Sequence, residues 1–226
     1  MSEWWTYTLS DFLMFSQRSH YRLIALYNEA VWPAHLLALA AGLAMIGCVA
    51  RPRPHTSRLA LLVLAAAWAW VGWAYHLERY ADINTAGPWF ALAFGVQALL
   101  LCFMALRSHG AAPAGMQKQV ALGLSGMAVL GYPLLVLGSG RGWNQAEVFG
   151  IAPDPTAVAT LGMLLACRAH PLYWLIPLAW CAVSGATLME LGVGYAWLLP
   201  TFAILAVAAG LLFRRLPQAR RRDQGE

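Results

Sequence analysis

Seven side chains in this sequence combine a reactive type with an apolar setting: His35, Trp73, His76, Tyr80, Asp154, Thr160 and Glu190. Each falls in or beside a long apolar run. Ionisable groups in such runs are costly and mark function by default. Asp154 and Glu190 would supply charge or exchange protons. His76 would act as a donor that switches near neutral pH, and Trp73 would form an aromatic wall. Trp73, His76 and Tyr80 are spaced i, i+3, i+7, which is one face of an α-helix. That face would line a pocket, or equally would belong to the Trp/Tyr belt at a membrane interface. Asp154 precedes Pro155, the pattern of an N-cap followed by proline at the first helical position, so capping alone also accounts for it. Thr160 lies with Asp154 and Thr156 at the start of the fifth span, and Gln97, Ser125, Ser184 and Thr201, also in apolar surroundings, fit either a polar lining or interhelical hydrogen bonds.

The elements that must position these groups follow from composition. Of 226 residues, 60% are apolar and 11% charged, against about 25% charged in soluble domains. That balance excludes soluble, disordered and fibrous classes and leaves a polytopic helical membrane protein. A spanning helix needs about 20 apolar residues. Six runs qualify: 32–49, 59–77, 88–106, 120–137, 172–189 and 193–213. A seventh, 156–167, reaches full length only if 148–152 joins it across Pro153-Asp154-Pro155, where two prolines should break or cap the helix. An interrupted span of this kind points to a binding site in transporters. Pro133, Pro177 and Pro200 should kink their spans.

Fourteen of the fifteen basic residues are Arg. With seven spans, eleven basic residues fall on one side and four (Arg18, Arg22, Arg79 and Arg141) on the other. The asymmetry places the C-terminus inside and the N-terminus outside. The expected organisation is one membrane domain: an interfacial segment at 1–30, a seven-helix bundle at 31–213 and a basic tail at 214–226. Ser10 or Asp11 would cap the N-terminal helix. That helix would lie along the outer interface or pack on the bundle as a lid. The four cysteines form no C-x-x-C pair and read as small apolar residues.

Three stretches carry a resemblance: Trp4-Trp5-Thr-Tyr-Thr-Leu-Ser-Asp-Phe, the pair Tyr21-Arg-Leu and Leu26-Tyr-Asn, and Phe149-Gly-Ile-Ala-Pro-Asp-Pro-Thr. Together they resemble a bacterial family of integral membrane proteins of unknown function. The resemblance implies a bacterial inner-membrane location and brings no activity or catalytic residue.

Absences narrow the function. The last span has no lysine, which a retinal protein would need, and no histidine, which a ceramidase-type zinc hydrolase would need. His35 and His76 with a carboxylate would match a zinc set, and a haem between them is a further alternative. No i, i+4 histidine pair supports either, so the cofactor is left unassigned. Phosphate-loop and G-x-S-x-G motifs are missing. The basic tail reads as a lipid-facing topology anchor, with no nucleic acid needed. The leading expectation is binding or translocation of a small solute or ion through an outward-facing pocket lined by the seven residues above. The alternatives are an intramembrane enzyme acting on a lipid-like substrate, and a non-catalytic subunit that docks a membrane partner or a second copy of the chain.

Overall fold

The computed structural model of the protein describes residues 14–51, 53–107 and 115–215. All regular structure among them is helical. The helices are α1 (Gln17–Val31), α2 (Ala34–Ala50), α3 (Pro54–Trp70), α4 (Gly87–Arg107), α5 (Gly115–Gly126), α6 (Tyr132–Ser139), α7 (Pro153–Ala166), α8 (Leu175–Glu190) and α9 (Leu198–Arg215). Four continuous helical stretches are long and apolar enough to cross a membrane: His55–Asp82, Gly87–Arg107, Gly115–Ser139 and Pro171–Glu190. The α1–α2 pair, bent by 92°, supplies a fifth if it counts as one span, and Leu198–Phe213 is apolar but shorter.

The centre of the bundle is α7. All fourteen of its residues are buried, and α3, α5, α8 and α9 pack around it. At 1.5 Å per residue it is about 21 Å long, short of the ~30 Å hydrocarbon core. Its ends therefore need other partners for their free backbone groups. Residues 148–152 do not extend it: the helix starts at Pro153, at the proline pair expected to break or cap it. They form a turn in which the Ala152 N–H donates to the Val148 carbonyl (2.8 Å) and Gly150 takes a φ of +75°, which favours glycine. The Thr156 hydroxyl accepts from the Gly150 N–H (2.9 Å) and donates to the Ala152 carbonyl (2.7 Å). One threonine thus ties the turn to the helix start.

Close contact on α7 depends on Gly162. A Cβ there would lie 2.7 Å from Ser125 Oγ and 2.9 Å from the Ala121 carbonyl oxygen, so α5 and α7 meet almost backbone to backbone, as small residues permit in membrane bundles.

Two helices widen locally. The chain is π-helical at Val71–Leu77 and at Met127–Gly131, directly before α6. Pro133 in the first turn of α6 cannot donate a backbone hydrogen bond and crowds the preceding turn. The π segment absorbs that mismatch within a helical run from Gly115 to Ser139.

Helix α1 is packed against the bundle, burying His20, Tyr21, Ile24, Tyr27 and Asn28. Its N-cap is Ser16, whose side chain accepts from Ser19 N–H (3.2 Å). Ser10 and Asp11, expected as caps, lie outside the described residues, as do Trp4–Phe12 of the resemblance and the tail from residue 216.

Candidate functional site

A cavity of about 40 Å³ lies where α1 meets the bundle. Its volume suits a few waters or a small ion. Helix α1 supplies His20, Tyr27 and Asn28. Tyr75 and Tyr80 come from the end of the α3 stretch, Asp154 from the first turn of α7, and Trp180 and Ser184 from α8. Glu147, from the loop between α6 and α7, completes it.

The loop and α1 hold each other in place. Asn28 Nδ2 donates to the carbonyls of Asn144 (2.8 Å) and Ala146 (2.9 Å), and the Tyr27 hydroxyl donates to the Ile151 carbonyl (3.3 Å). Loop backbone that would otherwise be buried unpaired is thereby satisfied, and Glu147 is fixed beneath the helix.

Two carboxyl groups face this space, both buried. Asp154 Oδ1 accepts from the Trp180 indole N–H (2.9 Å) and the Ser184 hydroxyl (2.8 Å). Asp154 is therefore not the N-cap that its Asp-Pro spacing suggests. Ala152 holds the cap position, and Asp154 sits one residue inside the helix, where the positive end of the helix dipole favours an anion. Glu147 Oε2 has no hydrogen-bond partner among the described residues. Burial, and then the neighbouring Asp154 carboxylate, push the Glu147 carboxyl up to about 8, against a smaller downward pull from Arg141. At neutral pH it holds its proton, the usual outcome when two carboxyls share a poorly solvated site.

Behind Trp180 stands His76, fully buried, with neither ring nitrogen hydrogen-bonded among the described residues. Its ring is enclosed by Phe94 (4.4 Å between centroids), Trp180 (4.8 Å), Tyr75 (5.2 Å), Tyr80 (5.8 Å) and Phe90 (5.8 Å). Trp180 touches both groups: its ring packs on His76 while its N–H holds Asp154.

Of the seven residues singled out from sequence, Tyr80 and Asp154 line this cavity and His76 packs directly behind it. The other four lie elsewhere. Trp73 is 55% exposed and packs edge-on against Trp70 (5.6 Å). The π-helix separates it from His76: its backbone bonds run from Glu78 N–H to the Trp73 carbonyl (3.1 Å). The wider turn rotates each residue less than an α-helix does, so an i, i+3 pair no longer shares a face. Thr160 is buried in a structural role, donating to the Thr156 carbonyl (2.8 Å) and accepting from Trp68 Nε1 (2.7 Å). Glu190 is exposed at the rim of an adjoining groove, which shares Phe90 and Thr187 with the cavity and also includes Phe15. His35 bonds Asn28 Oδ1 through Nε2 (3.1 Å) and lines a different recess beside Trp32 and Pro133.

His35 and His76 thus share no cavity, which leaves the two-histidine zinc or haem arrangement without a common site. Among the described residues no group of three or more His, Cys, Asp or Glu could hold a metal ion. Gln97 donates to the Tyr173 carbonyl (3.2 Å), while its Oε1 lacks a partner among the described residues.

Glu147, His20 and Trp180 escape a reading of apolar runs, whereas Ser184 was already marked there as a polar group. Glu147 lies in a polar loop, and His20 in the N-terminal segment. The available signal for Glu147 was its place seven residues before Asp154, on the other side of the Gly150 turn. Trp180 lies i, i+4 from Ser184 on one face of α8, but a lone tryptophan in an apolar run is not conspicuous.

Comparison with curated proteins returns no match, and comparison with solved structures returns none either. Residues 17–221 match the profile described as a family of unknown function, DUF6064. That range includes every residue of the cavity, and the chain belongs to this family.

Proposed function

We propose that the protein is a multi-pass inner-membrane protein that binds or translocates a small cationic solute, with Glu147 and Asp154 as its proton- or cation-exchanging pair. The reading takes α2, α3, α4, the α5–α6 run, α7, α8 and α9 as seven crossings. The N-terminus is then outside, as the eleven-to-four division of basic residues favours. Tyr80, Phe90, Glu147, Asp154 and Thr187 all come from helix ends or loops on the outward side of that scheme, so the cavity opens outward beneath α1.

The observation that carries the proposal is the pair of buried carboxyls facing one small cavity, one of them without a hydrogen-bond partner among the described residues. Burying such a group is expensive. A bound proton offsets the cost, and so does a bound cation. A site that alternates between the two couples them.

The test uses the full chain purified in detergent and reconstituted into liposomes loaded with a pH-sensitive dye. Gradients of Na⁺, K⁺ or Li⁺ are then imposed. The expected result is a cation-dependent change of internal pH that Glu147→Gln and Asp154→Asn each abolish. No internal pH change with any of the three ions, together with no cation-dependent thermal stabilisation between pH 6 and 9, refutes the proposal.

A further inference from the structure

A second, larger cleft lies beside the first turns of α1. It is open, about 840 Å³, and its polar lining comprises Gln17, Arg18, Tyr21, Arg141, Gln145 and Tyr195, with Ser139 beside Arg141. Among the described residues no carboxylate lines it. The rest of its wall is apolar, including Leu134 and Val193.

Arg141 is held in a fixed pose. Its Nε–H donates to Ser139 Oγ (2.8 Å). Its guanidinium lies over the Tyr21 ring at 4.1 Å and the Tyr195 ring at 5.1 Å, and those two hydroxyls bond each other (2.8 Å). Nη1 is nevertheless buried with no hydrogen-bond partner among the described residues. A planar guanidinium pre-organised on aromatic faces, with donor capacity unspent, is built to take an oxyanion. Arg18, exposed on the first turn of α1, adds a second positive charge at the cleft mouth.

We propose that this cleft is a binding site for a phosphate-type oxyanion, held by Arg141 and Arg18 with Tyr21 and Tyr195 as its aromatic floor. The apolar part of the wall suits the acyl chains of an anionic phospholipid. The same guanidinium chemistry would take a free phosphate. This cleft has its own lining, but Arg141 also acts electrostatically on Glu147 of the carboxyl cavity.

The full-length protein in neutral detergent would be compared as wild type, Arg141→Gln, Arg18→Gln and Arg107→Gln. Arg107 is a suitable control because it also stacks on an aromatic ring, that of Phe103 at 4.1 Å, away from the cleft. One arm measures retention of phosphatidylglycerol against phosphatidylcholine by native mass spectrometry. The other measures thermal protection by sodium phosphate against sodium chloride at matched ionic strength.

The expected result is an affinity loss of about tenfold or more in Arg141→Gln, a smaller loss in Arg18→Gln and none in Arg107→Gln. Loss in the lipid arm alone identifies a headgroup, and loss in the phosphate arm a soluble anion. Equal binding by wild type and Arg141→Gln in both arms overturns the proposal, as does an equal loss in Arg107→Gln. Should Arg141→Gln fail to fold, the exposed Arg18→Gln decides, and wild-type binding by that variant overturns it.

Discussion

Glu147→Gln should change how the protein's stability depends on pH. The Glu147 carboxyl titrates near 4.5 in an unfolded chain and is pushed up to about 8 in the fold, first by burial and then by Asp154. Between those values the folded protein holds a proton that the unfolded chain has released. Stability contributed by this group is fully present below about pH 4.5 and is lost as pH rises through 8. Each pH unit in that window removes about 1.4 kcal/mol. From pH 5 to 7 the loss is therefore roughly 3 kcal/mol, and over the whole window it approaches about 5 kcal/mol.

A chain of 226 residues shifts its melting temperature by roughly 2–4 °C per kcal/mol. Wild type should thus lose roughly 6–12 °C between pH 5 and 7 from this group alone. The glutamine keeps the shape, removes the ionisable group and places an N–H donor beside Asp154. Titrations remote from Glu147 are common to both proteins and cancel in the comparison, whereas that of Asp154 is coupled to Glu147 and changes with it. Intrinsic tryptophan fluorescence reports unfolding directly, with eleven tryptophans in the chain. Melting curves would be recorded from pH 4.5 to 8.5 at constant ionic strength in one detergent. The two profiles should converge at the acid end and separate steadily toward pH 8, with Glu147→Gln the more stable. Parallel profiles would show that Glu147 does not hold its proton in the fold, and the argument from burial would be wrong.

Three further outcomes follow from particular contacts. Trp180→Phe keeps a ring against His76 but removes the indole N–H that Asp154 accepts at 2.9 Å. It should cost about 1–3 kcal/mol, read by chemical or thermal unfolding, and Ser184→Ala combined with it should show non-additive coupling. Gly162→Ala should destabilise despite the ~1 kcal/mol that alanine ordinarily gains over glycine in a helix, because the new Cβ meets the Ala121 carbonyl at 2.9 Å; a rise in melting temperature would mean that α5 and α7 can separate freely. His76→Leu should leave stability within about 1 kcal/mol or raise it, since neither ring nitrogen has a hydrogen-bond partner to lose among the described residues; a large loss of stability would reveal a bonded imidazole.

Much of the architecture could be read from apolar runs, because a long apolar stretch has few ways to satisfy its backbone groups. The run 88–106 matches α4 at Gly87–Arg107, and 172–189 matches the stretch Pro171–Glu190. The proline pair around Asp154 also marked correctly that the short helix begins there. The site was less legible. Periodicity assumes a regular α-helix, and the π-helical turn at 71–77 breaks that assumption, sending Trp73 outward and His76 inward. Thr160 looked like a candidate lining group, yet its hydroxyl is consumed by Thr156 and Trp68, contacts between positions 92 residues apart in the case of Trp68.

What the sequence by itself determined was the scarcity of charge, and with it an all-helical fold with spans of bilayer length. Every backbone polar group in an apolar medium must be bonded by protein, and a helix meets that requirement within its own segment. The tertiary structure alone decided which charges matter. Glu147 lies in a polar loop indistinguishable by composition from a solvated one. Only the packing of α1 over that loop, through Asn28 and Tyr27, buries it beside Asp154. Desolvation and the field of a neighbouring charge depend on distances through space, and neither is encoded at any single position in the chain.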